Sequence, residues 1–141
     1  MLDQNKWGYN YPWGSIHNHM AYMDPAHVRV ADGKLVIRAV PERHPKATDT
    51  AKFEGKVLKV PYQAGAVHTK GKFDFTFGYA EARLKVPKGR GFWPAFWLLP
   101  TDGGWPPEID VMEILTSNPK RSHVALHYGK SWRDHKSHGR W

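Results

Sequence analysis

Within six residues, Glu108-Ile109-Asp110-Val111-Met112-Glu113, the chain places three carboxylates. Crowded carboxylates repel and push at least one of their pKa values upward, so such a cluster is costly to keep without a task. One task that it suits is glycoside hydrolysis. One carboxylate attacks the anomeric carbon, and a second, held protonated, protonates the leaving oxygen. Asp110, between the two glutamates, could hold a proton or hydrogen-bond Glu108 and keep the pKa values apart. The plainer alternative is a strand whose polar face merely meets solvent. Acidic residues are poor strand formers, and three on one face weigh against it.

Such chemistry needs all three side chains on one face. The segment follows a Trp105-Pro106-Pro107 turn and is rich in Ile, Val and Met, which predicts a strand. Alternation points Glu108 and Asp110 the same way but would turn Glu113 away. A β-bulge around Val111 and Met112 resets the phase and returns Glu113 to the face of the other two. The outer carboxylates then stand about four strand steps apart, roughly 13 Å between Cα atoms. Side chains leaning inward narrow that towards the ~5.5 Å of a retaining pair.

Two apolar or alternating segments precede this strand. In Phe92–Leu99, alternation puts Trp93, Ala95, Trp97 and Leu99 on one face, and Pro94 predicts a bend or edge. Trp93 at the bend and Trp105 ahead of the acidic strand are candidate stacking platforms for sugar rings, whereas Trp97 reads as core. Tyr79–Val86 alternates cleanly, with Glu81, Arg83 and Lys85 on one face and Ala80, Ala82, Leu84 and Val86 on the other. A Glu and an Arg two apart could clamp sugar hydroxyls, or form a solvent-facing ion-pair row.

The blocks Phe77–Lys85, Gly91–Trp97 and Glu108–Glu113, in this order and spacing, resemble glycoside hydrolase family 16, the laminarinase and β-glucanase family. The acidic pattern E-x-D-x-x-E is similar to its bulged branch, and the resemblance runs from about Asn18 to Gly129. It implies Glu108 as nucleophile, Asp110 as its helper and Glu113 as acid/base. It also implies that Glu81 and Arg83 border the cleft, that Asn18 contacts a sugar on the non-reducing side, and that His127 rather than His123 meets a carboxylate or sugar. The function implied is a retaining endo-glycosidase on β-1,3- or mixed β-1,3/1,4-glucan. The alternative is a glycan-binding sandwich with lost or weak activity.

The fold implied is all-β, an antiparallel β-sandwich of jelly-roll type forming a single domain over residues 1–141. The 141 residues, 40% hydrophobic and 13% aromatic, have a globular composition. A sandwich domain often needs about 200–250 residues. The expectation is therefore a partial sandwich, with an exposed apolar face and open edges, completed by a second copy or a complementary chain. With no cysteine, disulfides say nothing of compartment. No signal peptide is visible, and the polymer substrate alone suggests an extracellular or periplasmic site of action. No stretch approaches the length of a membrane helix.

The formal charge of +8 comes from scattered Lys and Arg without a nucleic-acid fold motif, so a solvated basic face is the bland reading and an anionic glycan the interesting one. Neither nucleic acid nor membrane is expected as a partner. No cofactor or metal is expected either. His17/His19 and His135/His138 have metal-like spacing but lack a third ligand or a helix to carry them. The resemblance allows a calcium site away from the cleft, for which no ligand set is visible.

For the rest of the chain, Val28–Ala39 reads as a hairpin around Asp32-Gly33, and Trp7–Trp13 and Pro41–Gly55 as loops. Val57–Val60 reads as an insert strand, and Phe73, Phe75 and Phe77 as the core face of another. Ser122–Tyr128 reads as the strand after the acidic one, and Lys130–Trp141 shows no periodicity.

Overall fold

Asp32 and Gly33 both take positive φ in the computed structural model, 52° and 70°, the turn that a two-residue hairpin requires. The structure describes residues 1–17, 20–48, 50–53 and 56–141. It divides into two compact units, Met1–Thr76 and Phe77–Trp141.

The first unit carries β1 (Gly8–Tyr9), β2 (Ile16–His17), β3 (Ala21–Met23), β4 (Val28–Ala31), β5 (Lys34–Ile37), β6 (Thr50–Phe53), β7 (Lys56–Leu58), β8 (Tyr62–Ala64) and β9 (Val67–His68). β4 and β5 form the hairpin around Asp32-Gly33, β6 pairs with β7, and β1 with β9. β3 lies between β2 (antiparallel) and β8 (parallel). A 3₁₀ turn over Pro25–His27 is capped by Asp24, whose Oδ1 accepts the Ala26 N–H at 2.7 Å. The other oxygen of Asp24 lies 2.8 Å from the His44 ring, which stacks on Tyr22. Leu2, Met23, Val28, Ala47 and Val60 are the buried apolar residues among those described in this unit.

The second unit is a single antiparallel sheet in the order β10 (Ala95–Leu98), β11 (Glu108–Glu113), β12 (His123–Tyr128), β13 (Lys136–Arg140). Pro94 has no N–H to give to a ladder, so regular pairing of the Phe92–Leu99 segment begins only at Ala95. Its carbonyls continue the contact: Ile114 N–H donates to Pro94 O and Thr116 N–H to Phe92 O. The buried Thr116 hydroxyl closes the same pair, accepting Phe92 N–H at 3.0 Å and donating to Phe92 O at 3.1 Å.

Several expectations differ from this architecture. Trp7–Trp13 and Pro41–Gly55, read as loops, contain the short strands β1 and β6, which pair with β9 and β7. Among the described residues, the expected strands through Phe73–Phe77 and Tyr79–Val86 have no ladder partner, and Phe73, Phe75, Phe77 and Leu84 are exposed rather than core, Phe77 at 93%. Alternation specifies which side chains share a face but supplies no neighbouring backbone to pair with, and a strand needs both. In the tail, Lys136–Arg140 is a regular edge strand. Its polar, charged, fully exposed residues carry no hydrophobic period to announce it. The all-β class holds throughout the described residues, and no helix among them is long and apolar enough to cross a membrane.

Candidate active site

The pairing register decides which side chains share a face, because residues directly opposite in an antiparallel ladder point the same way. Glu108 faces His127, Asp110 faces Ala125 and Glu113 faces His123. On β12 those partners are alternate residues, so one face of β11 carries all three carboxylates. Five residue steps on β11 oppose four on β12, and the register breaks between Asp110 and Glu113. On the other side, β10 skips Val111, pairing Phe96 with Met112 and Trp97 with Asp110. Val111 is the extra residue of a β-bulge.

The same register extends the face across the sheet. β10 contributes Ala95 and Trp97, and β13 contributes Ser137 and Gly139. Trp97, expected in the core, therefore stands half-buried opposite Asp110 on the acidic face. On the reverse face lie Ile109, Val124, Leu126 and Tyr128, bordered by Lys136, His138 and Arg140.

Each carboxylate has its own supports. The Trp105 indole N–H donates to Glu108 Oε2 at 2.6 Å. The Asp110 side chain is 1% exposed, and its Oδ2 lies 2.9 Å from His127 Nε2. An ionised carboxylate can only accept, so His127 donates there. Its other nitrogen, Nδ1, lies 2.9 Å from His135 Nε2. The His135 ring packs 4.7 Å from Trp105, which closes a circuit from Glu108 through Trp105, His135 and His127 to Asp110. Glu113 Oε2 is 3.3 Å from His123 Nδ1, and the His123 ring stacks on Trp141 at 4.5 Å. Asp110 Oδ1 is buried without a hydrogen-bond partner.

Of the other sequence candidates, Trp93 is exposed beside an open depression that it lines with Arg90, Leu115 and Ser117. Glu81 is exposed and accepts the Tyr79 hydroxyl at 3.0 Å. Arg83 is exposed in the same unpaired segment, and no described contact brings either residue to the three carboxylates. Asn18 lies outside the described residues.

The sequence pattern of glycosyl hydrolases family 16 matches residues 25–141. The chain belongs to that family. Endo-1,3-1,4-beta-glycanase EglC of Rhizobium meliloti (strain 1021) is 39% identical over 98 residues, 70% of this chain and 20% of that protein. A chain solved in work on endo-acting O-glycanases of the human gut microbiota superposes with a TM-score of 0.79 at 31% identity, covering 98% of this chain and 53% of that one. SCLam, a non-specific endo-beta-1,3(4)-glucanase, gives a TM-score of 0.74 at 30% identity over 99% of this chain and 54% of its own. The chain thus spans about a fifth of that curated relative and about half of those solved chains. The family's antiparallel jelly-roll sandwich is accordingly the fold class.

Within this family 16 chain, the surroundings of Glu108 act on its proton affinity. Burial raises the pKa of Glu108 first, and the Asp110 carboxylate raises it further by charge and by sharing a hydrogen bond. The Trp105 indole and the His127 ring work in the opposite direction. A proton held between Glu108 and Asp110 would also give Asp110 Oδ1 its missing partner.

Three side chains of the face escaped the sequence reading: Trp97, His135 and Trp141. Alternation did put Trp97 on one face with Ala95, but in a run apolar on both sides nothing local says which face meets the carboxylates. For His135 and Trp141 the local sequence held no signal, because only the β12–β13 register carries them there.

Proposed function

We propose that residues 1–141 form a single catalytic domain of a retaining endo-glycosidase acting on β-1,3- or mixed β-1,3/1,4-glucan. The observation that carries this reading is the bulged strand with Glu108, Asp110 and Glu113 on one face, each beside its own supporting ring. Glu108, ionised, attacks the anomeric carbon while Glu113, protonated, gives its proton to the leaving oxygen. Water then releases the glycosyl-enzyme, with Glu113 now taking the proton. Asp110 steadies Glu108 by exchanging hydrogen bonds with it and with His127. Trp93 and Trp105 offer indole faces to sugar rings, and Glu81, Arg83, His127 and Asn18 are the remaining substrate contacts of this reading.

The activities for which EglC and SCLam are named support β-1,3- and β-1,4-linked glucan as the substrate class. A polymer substrate places the reaction outside the cell or in the periplasm. The partner in this reading is a second copy of the chain or a complementary chain, met through the apolar reverse face of the second unit. No resident cofactor or nucleic-acid partner belongs to it.

Oligosaccharide release from laminarin and from mixed-linkage glucan is the test, with the native chain and Glu108→Gln compared. Release by the first and none by the second is expected. Glu113→Gln should lose about 10²–10⁴-fold on glucan, the usual contribution of a general acid, yet keep cleaving aryl glycosides with good leaving groups. Asp110→Asn should cost less than either. Full activity in Glu108→Gln would overturn the nucleophile assignment. A folded native chain that binds glucan without cleaving it would establish the binding-only alternative.

A further inference from the structure

The cluster that serves sugar chemistry has a second property. One carboxylate oxygen of Glu108, one of Asp110 and one ring nitrogen of His127 all lie within 4.8 Å of one another. Metal–ligand bonds of about 2.0–2.2 Å place two donors on one tetrahedral ion about 3.4 Å apart, so small side-chain rotations close the set. A cluster of acids alone would mean little. Here the most buried member, with its side chain 1% exposed, keeps one oxygen, Oδ1, without a partner. That oxygen is open to a cation.

We propose that Glu108, Asp110 and His127 bind a borderline divalent ion of the zinc class, which closes the site to substrate. An imidazole with two carboxylates suits Zn²⁺ or Co²⁺ better than Mg²⁺, which takes oxygen donors and keeps its waters. His135 completes the design. A metal-bound imidazole needs its far nitrogen hydrogen-bonded, and His127 Nδ1 already lies 2.9 Å from His135 Nε2. To free Nε2 for the ion, the His127 proton moves to Nδ1 and donates to His135 Nε2, and the proton that His135 held there passes to its own Nδ1, so the pair loses none.

The titratable groups facing the site are Glu108, Asp110 and Glu113 of β11, His123 and His127 of β12, and His135 ahead of β13, while β10 presents only Ala95 and Trp97. With Glu108 engaged by the ion, its oxygen cannot attack a sugar, so zinc and glucan compete.

Calorimetric titration of the 141-residue chain with Zn²⁺, with Co²⁺ absorption as a second readout, tests this. One ion per chain is expected, with little response to Mg²⁺. His127→Ala should weaken binding at least 100-fold, and His135→Ala about 10–100-fold, as outer-shell partners of metals do. His138→Ala, on the reverse face, should change it less than twofold. Circular dichroism checks each variant's fold, and His135→Ala carries the test if His127→Ala does not fold. Absence of saturable binding, or equal loss in His138→Ala, overturns the proposal. The outcome is independent of the hydrolase reading. A chain that cleaves glucan but binds no zinc sinks only this inference, and one that binds zinc but cleaves nothing sinks only the other.

Discussion

Glu108 has to be ionised to act as a nucleophile, and its surroundings resist that. Burial and Asp110 raise its pKa, while the Trp105 N–H bond lowers it. The rate should therefore fall as pH drops through this raised value, forming the acidic limb of kcat/KM. Replacing Trp105 by Phe removes the lowering donor and should move the limb to higher pH. Asp110→Asn removes a raising charge and should move it to lower pH. Profiles of kcat/KM measured on one soluble substrate check both, and displacement of both limbs in one direction would refute this account of Glu108. Stability follows the same linkage. The folded chain holds the Glu108 proton more tightly than the unfolded chain does. The stabilisation that this supplies is complete below the unfolded value and is lost as pH rises through the folded one. The Tm of Glu108→Gln should gain on that of the native chain over this window.

At the scale of elements, the supports of the site are small and specific. Gly139 on β13 lies beneath His123, and a Cβ there would sit 2.6 Å from Nε2 of that ring and 3.0 Å from Val124 O. Gly139→Ala should therefore push His123 away from Glu113 at a cost of about 1–3 kcal/mol, the usual penalty of overpacking. A thermal melt and the rate on a substrate with a poor leaving group check it. Thr116→Val keeps the shape but loses both hydroxyl bonds to Phe92, and about 1–2 kcal/mol of stability is the expected loss.

The elements that the sequence made legible were those with a local physical code. Asp32-Gly33 supplied a turn chemistry, and Glu108–Glu113 supplied a period with one phase error. The illegible ones depend on distant partners. Tyr79–Val86 has a clean alternation yet no ladder among the described residues, and Lys136–Arg140 has no alternation yet pairs along its whole length. His135 enters the site only through that second strand, which is why spacing alone could not place it.

At the scale of the molecule, the sheet of the second unit has one face that carries the three carboxylates and one that is largely apolar. Ile109, Val124, Leu126 and Tyr128 are each 44–47% exposed on the reverse face, beside the basic side chains of β13. An apolar row of this kind favours self-association, so the isolated chain should scatter light as a dimer or larger species. Leu126→Lys places a charge in the middle of the row and should return it to monomer without touching the acidic face. A monomeric native chain would rule out the second copy as partner. The net charge of +8 makes a further contrast measurable. Binding to neutral glucan should change little with salt, whereas phosphate contacts would weaken steeply.

The bulge at Val111 has a consequence for how such a strand drifts over generations. Since five steps on β11 span four on β12, deleting Val111 would leave Glu108 opposite His127 and Glu113 opposite His123. The six-residue motif would shorten to five and alternate without interruption, its three acids still on one side. What disappears is the local bend and extra twist, not the pairing. Losing that one residue is therefore a conservative event in this acidic strand, and under the proposed function a Val111 deletion should keep measurable hydrolysis where a single deletion in β12 would invert a whole row of partners.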